Sequence, residues 1–123
     1  MKKIKLSKNI GHTWFIDLDG TILKHNGYII DGQDSLLDGV KKFFSRIPKK
    51  DKIILTTSRK KNYLYKTKVF LKKNKIRYNQ IICNLPYGER ILINDIKPKK
   101  KLKTSLSINL KRDEGLSKYK ILK

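Results

Sequence analysis

Two carboxylates one residue apart, Asp17 and Asp19, stand directly after the apolar run Trp14-Phe15-Ile16 and directly before Gly20-Thr21. A strand that ends in Asp-Leu-Asp and turns away at a glycine leaves both acids exposed at its carboxyl end. The chemistry such a pair suits is phosphoryl transfer through a covalent intermediate. One carboxylate attacks phosphorus to give an aspartyl-phosphate. The other protonates the leaving oxygen and then activates water. Two anions that approach each other need neutralising, and Mg²⁺ held by Asp17 and Asp95 would do that.

Such a site needs a scaffold that brings distant residues to one rim. The first strand is expected at 13–17, followed at 20–33 by two small β-prone runs around Asn26-Gly27, a hairpin-turn signal. Leu36, Leu37, Val40, Phe43, Phe44 and Ile47 recur at helical spacing, so a helix is expected from Asp34, capped by Asp34 or Ser35 and ended by Pro48. A second strand is expected at 52–57. A helix should follow, with Leu64, Val69, Phe70 and Leu71 inward. Further strands are expected at 80–83, 90–95 and 106–110, with the link 84–89 too short for a full helix. Strands separated by helices imply βαβ units and a mostly parallel sheet. Ligands of such a sheet bind beyond the carboxyl ends of its strands. Three of the expected strands end there in polar residues: Asp17-Leu18-Asp19, Thr56-Thr57-Ser58-Arg59 and Asn94-Asp95. The expected fold is therefore α/β, one Rossmann-like three-layer domain over 1–123 with a small β-hairpin flap at about 22–33 and no large cap.

The segments "DLDGTI", "ILTTSR" and "ILINDIKP" resemble, in order, the first, second and fourth motifs of the haloacid-dehalogenase-like (HAD) superfamily. The resemblance runs over roughly residues 12 to 98. It implies that Asp17 is the nucleophile and that Asp19 is the acid/base and also offers its backbone carbonyl to Mg²⁺. Asp95 completes the implied metal set. Thr57 is the implied phosphate-binding hydroxyl, with Thr56 its competitor because neighbouring strand residues point oppositely. Gly20, Thr21, Ser58 and Arg59 would line the substrate. The family's third motif is a lysine or arginine that steadies the phosphoryl group. Arg90 is the choice for it, ahead of Lys72 and Lys73. An acid at the second position of the first motif favours phosphatases or phosphomutases over the ATPase and dehalogenase branches. Small capless members tend to take bulky substrates or to complete their site by oligomerising, so an oligomer is open here. The whole pattern is also similar to small bacterial or phage-type HAD proteins linked to surface-sugar biosynthesis.

Charge sets the alternatives. The 123 residues carry 31 Lys+Arg against 10 Asp+Glu, a net +21. Lysine is spread along the whole chain, densest between Lys97 and Arg112 in a basic segment that runs from about 97 to 123. Few aromatics interleave with it, so no base-stacking platform is evident. A small phosphorylated substrate such as a sugar phosphate is preferred, with weak non-specific nucleic-acid binding from net charge. The alternatives are a nucleotide or polynucleotide-end phosphatase, or a non-catalytic basic protein of the same fold. No apolar run reaches the roughly 20 residues of a membrane span, and no apolar stretch follows the basic start as in a signal peptide. A cytoplasmic protein without membrane contact is expected. Cys83, the only cysteine, reads as a buried inert thiol. His12 is expected to cap or pack, His25 to lie in an exposed turn and Trp14 to fill core.

Overall fold

Three parallel strands make the central sheet in the computed structural model, which describes residues 1–99 and 101–122. Lys100 and Lys123, both in the basic segment, lie outside the described residues. The strands are β2 (Thr13–Asp17), β3 (Lys52–Thr56) and β4 (Gln80–Ile82), adjacent in that order. Their positions follow the apolar runs of the sequence, with β3 and β4 each one residue shorter than expected. The pairing sets Asp17 beside Thr56 at the carboxyl edge.

Between the strands run α2 (Val40–Arg46) and α3 (Leu64–Lys73), the latter led in by a 3-10 turn at Lys61–Tyr63. Side chains alternate across a strand, and Trp14 and Ile16 share a face with their partners Ile53 and Leu55. That face joins Phe43, Phe44 and Leu71 of the helices in one buried cluster. Trp14 meets Phe43 edge-on, with ring centroids 5.8 Å apart, so it does fill core. Val69, expected inward on α3, is exposed, and Thr67 is buried instead.

The helix expected from Asp34 begins only at Val40. The preceding residues are used differently: Leu37 donates its amide to the Ile22 carbonyl (3.0 Å), and Ser35 accepts from the Lys24 amide (3.0 Å). These bonds close the base of the 24–35 loop. The expected hairpin is absent from that loop, whose tip is a helical turn, α1 (Gly27–Ile30). A type I′ hairpin turn needs positive φ at both central residues. Asn26 has φ 55, but Gly27 enters the helix with an ordinary negative φ.

The terminal parts of the chain meet in a pairing that the sequence did not suggest. Here β1 (Lys2–Lys5) runs parallel to β7 (Tyr119–Leu122), with Ile4 and Ile121 buried. A two-residue antiparallel pair, β5 (Ile96–Lys97) and β6 (Leu102–Lys103), lies before it in the chain. Neither 90–95 nor 106–110 forms a strand. Ile91 and Ile93 are 81% and 88% exposed. An apolar strand such as Ile91-Leu92-Ile93 needs cover on both faces. Among the described residues no helix lies between β4 and β7 to supply it. Phe15, on the sheet face opposite the helices, is likewise 55% exposed. The architecture is thus mixed α/β around parallel strands, with the helical cluster on one face. No helix of the described residues is long and apolar enough to cross a membrane.

Candidate active site

After β2 the chain wraps tightly around one carbonyl. Leu18 accepts from the amides of Thr21 (3.2 Å), Ile22 (3.1 Å) and Leu23 (3.0 Å), and Gly20 donates to the Leu23 carbonyl (2.7 Å). Gly20 takes φ 82, a left-handed conformation that any other L-residue adopts only under strain. Leu18, Ile22 and Leu23 are fully buried. That burial pins the turn, while the odd-numbered Asp17 and Asp19 escape the core.

The two acids have different surroundings. Asp17 is half-exposed, its side chain 45% accessible, and its Oδ1 lies 3.8 Å from Arg90 Nη2. Burial of its remaining half pushes the carboxyl above the usual carboxylate range. Arg90 opposes that shift and the Asp19 charge adds to it. Arg90 itself is held by its Nη1, which donates to the carbonyls of Pro86 (2.9 Å) and Gly88 (2.7 Å). Of the candidates for the steadying cation, Arg90 is thus the one beside Asp17, while Lys72 and Lys73 are exposed in the last turn of α3.

Asp19 is clamped. Thr57 Oγ1 donates to its Oδ2 (3.0 Å), and Arg59 donates from Nε (3.1 Å to Oδ1) and Nη2 (2.8 Å to Oδ1). Of the two threonines, Thr57 is the one that touches a carboxylate of the Asp17/Asp19 pair. Its hydroxyl also accepts the Arg59 amide (3.0 Å). Arg59, expected to line the substrate, faces inward, its side chain 2% exposed. Besides Asp19 it donates to Asp34 from Nη1 (2.9 Å) and Nη2 (2.6 Å), and to Thr67 from Nη1 (2.8 Å). All five guanidinium N–H groups have partners, so none is left over for a phosphate. Burial disfavours its charge, but the bonds to Asp34 and Asp19 outweigh that and raise its pKa further. The Tyr28 ring stacks on it at 3.9 Å and meets Tyr63 edge-on at 4.9 Å. Ser58 is exposed beside this network and Thr21 is partly buried in the turn.

Asp34 and Tyr28 are the members that sequence reasoning missed. Asp34 looked like a helix cap, and its spacing from Asp19 and Arg59 marks nothing. The one available signal is that Arg59 has no acid near it in the chain, so its burial requires acids from elsewhere.

The residues expected to hold Mg²⁺ do not come together. Asp95 is exposed and ion-paired with Lys97 at 3.1 Å, and Asp19 is committed to Arg59 and Thr57. Among the described residues no group of three acids, histidines or cysteines is placed to hold a metal. This arrangement does not fit the ion.

At the opposite end of the same strands lies a second polar cluster. His12 packs between the Ser7 carbonyl (Nε2, 3.0 Å) and Asp51 (Nδ1, 3.0 Å). Trp14 Nε1 donates to the same carboxylate at 2.9 Å. His12 packs as expected. Cys83 is a free, partly buried thiol.

Searches of family models, curated proteins and solved structures find no match to this chain. A functional reading therefore stands on the residues and their geometry.

Proposed function

We propose that this protein is a phosphatase that hydrolyses a phosphomonoester, a sugar phosphate or similar small metabolite, through an aspartyl-phosphate on Asp17. The observation that carries the reading is the unequal treatment of the two acids at the end of β2. Asp17 is half-exposed with a guanidinium at 3.8 Å, and Asp19 is held fixed by Thr57 and Arg59. A nucleophile must reach substrate, and a proton carrier must stay in place.

In the proposed sequence an Asp17 oxygen forms a bond to phosphorus as the bond to the leaving oxygen breaks. Asp19 supplies the proton that the leaving alkoxide takes. Asp19 then removes a proton from water, whose oxygen attacks phosphorus and releases Asp17 and inorganic phosphate. Arg90, with Nη2 toward Asp17, offsets the charge that gathers on the phosphoryl oxygens. Mg²⁺, expected from the sequence on Asp17, Asp19 and Asp95, has no fitting site in this arrangement and stays outside the proposed steps. No step is routed through it, since those residues stand apart.

The test is turnover of a panel of sugar phosphates, nucleotides and 3′-phosphorylated oligonucleotides by the native chain and by Asp17→Asn. The variant should lose activity by several orders of magnitude, because an amide is a poor nucleophile. Residual turnover above about 1% would sink the covalent route. Turnover unchanged by EDTA agrees with the metal-free steps above, and turnover abolished by EDTA overturns them in favour of a metal-assisted route.

A further inference from the structure

We propose that the turn at 111–115 completes the mouth of this site, where Arg112 and His25 receive a second anionic group of the substrate. The preferred substrate is then a phosphomonoester that carries another phosphate or a carboxylate. The inference rests on the phosphatase reading for the reacting phosphate, but the binding it describes needs no turnover.

The turn is fastened directly to the loop that follows β2. Asp113 donates its amide to the Gly20 carbonyl at 2.9 Å, and its Oδ1 accepts the His25 amide at 2.8 Å. Leu116 donates to the Asp38 carbonyl at 2.7 Å. Gly115, with φ 81, lies so close to that carbonyl that any β-carbon would collide with it. Asp113 itself takes φ 63, a strained choice for a non-glycine residue that these contacts support. A segment nearly ninety residues away in the chain is thus built onto the catalytic turn.

This docking gathers basic side chains where the acids emerge. A β-carbon on Gly20 would lie 3.3 Å from Arg112 Cγ and 4.0 Å from His25 Nδ1. The His25 charge also reaches Asp17 and lowers its pKa slightly against the burial effect. Arg90 lies 3.8 Å from Asp17, so basic residues from two further segments, 24–35 and 111–115, flank the turn that follows the same strand.

Their charges are not equally used. Arg59 balances Asp19 and Asp34, Arg90 faces Asp17, and the Asp113 carboxylate is engaged by the His25 amide. Arg112 forms no ion pair or side-chain hydrogen bond with the described residues. A guanidinium without an ion-pair partner, on a side chain that packs over the Gly20 turn, suits bidentate capture of phosphate or carboxylate. A substrate with one phosphate and a neutral remainder leaves it idle.

The test is calorimetry in the Asp17→Asn background of the full chain, where attack on phosphorus is removed and binding is read alone. The probes are glucose-6-phosphate, fructose-1,6-bisphosphate and 6-phosphogluconate. Arg112→Ala should weaken the better of the two doubly anionic probes by roughly tenfold or more, the size of a charge-assisted hydrogen bond. Binding of glucose-6-phosphate should stay within about twofold. Lys3→Ala removes the same charge from β1 and should change neither. Tighter binding of the bisphosphate assigns the second group as phosphate, and of the phosphogluconate as carboxylate. Equal weakening of all three probes, an effect matched by Lys3→Ala, or no binding of either doubly anionic probe overturns the inference. If binding depends on Arg112 while the native chain hydrolyses nothing, the mouth stands and the phosphatase reading falls.

Discussion

The β2–β3 pair carries a polar cluster at each end, and the two are built on opposite plans. At the amino end, Asp51 is wholly buried and accepts from the His12 backbone and ring and from the Trp14 indole. These bonds hold its carboxyl below the usual range, although burial works the other way. At the carboxyl end, Asp19 is similarly secured by Arg59 and Thr57, but Asp17 is left half-exposed with its pKa pushed up. One end fully satisfies its single acid. The other secures two acids, Asp19 and Asp34, by means of a buried guanidinium and leaves a third, Asp17, half-exposed with only a 3.8 Å ion pair to Arg90. Strain that persists in a folded protein is most often retained where chemistry is done. The contrast teaches that the carboxyl end is where the fold gives up stability.

The largest expected effect follows from removing the clamp. Arg59→Leu strips the shared cation from Asp19 and Asp34, whose side chains are 18% and 5% exposed. Two partly buried carboxylates would then face each other unpaired. Breaking a buried ion pair in this way costs about 3–5 kcal/mol. Chemical denaturation of the native chain and the variant checks this. A loss below about 1 kcal/mol would mean that Arg59 is not the keystone of that end.

The amino end should respond to smaller changes and to acid. Asp51→Ala orphans the Trp14 indole N–H and the His12 amide, at a cost of about 1–3 kcal/mol for each buried donor left unpaired. Because the folded pKa of Asp51 is depressed, its contribution is fully present above the ordinary carboxylate value of 3.8. It is lost as pH falls through the lower folded value. The native chain should therefore lose stability toward acid more steeply than Asp51→Ala. Trp14, the only tryptophan, reports on this cluster by fluorescence. Parallel acid curves for the two proteins would show that Asp51 is not the group responsible.

How much of this was legible in the sequence depends on whether a signal was local. Strands β2, β3 and β4 lay at their apolar runs because alternation and burial act within a few residues. Asp17, Asp19 and Thr57 reached one rim because they sit at the ends of neighbouring parallel strands. The run at 90–95 carries the same local signal and yet forms no strand, since a two-faced strand depends on a covering layer that the chain between β4 and β7 does not provide. The Asn26-Gly27 hairpin failed for a related reason: Leu37 and Ser35 closed the loop from outside it. Asp34, Tyr28 and the 111–115 turn were invisible because each acts across a long stretch of sequence. Arg59 was placed at the right edge but given the wrong partner. Its neighbours in sequence say nothing of the two acids that turn it inward.

The smallest expected effect is also the one that best separates the two ends, because its sign is reversed. Asp17 has a folded pKa above its ordinary value of 3.8, so the folded chain holds that proton more tightly than the unfolded chain. Between the two values the folded state binds more protons, and stability falls as pH rises through that window. Above the window the ionised Asp17 is a fixed cost to the fold; below it, there is none. Asp17→Asn removes the charge while keeping the shape, so near neutral pH the variant should be slightly more stable than the native chain. The gain should be only a few tenths of a kcal/mol, because a side chain 45% exposed is screened by water. It should vanish in acid, where the native carboxyl is protonated as well. Thermal melts of both proteins across the acidic to neutral range would show the difference opening as pH rises. If Asp17→Asn is instead less stable at neutral pH, the carboxylate is a structural anchor like Asp51. The contrast between the two ends would then collapse, and with it the physical ground for placing a nucleophile at Asp17.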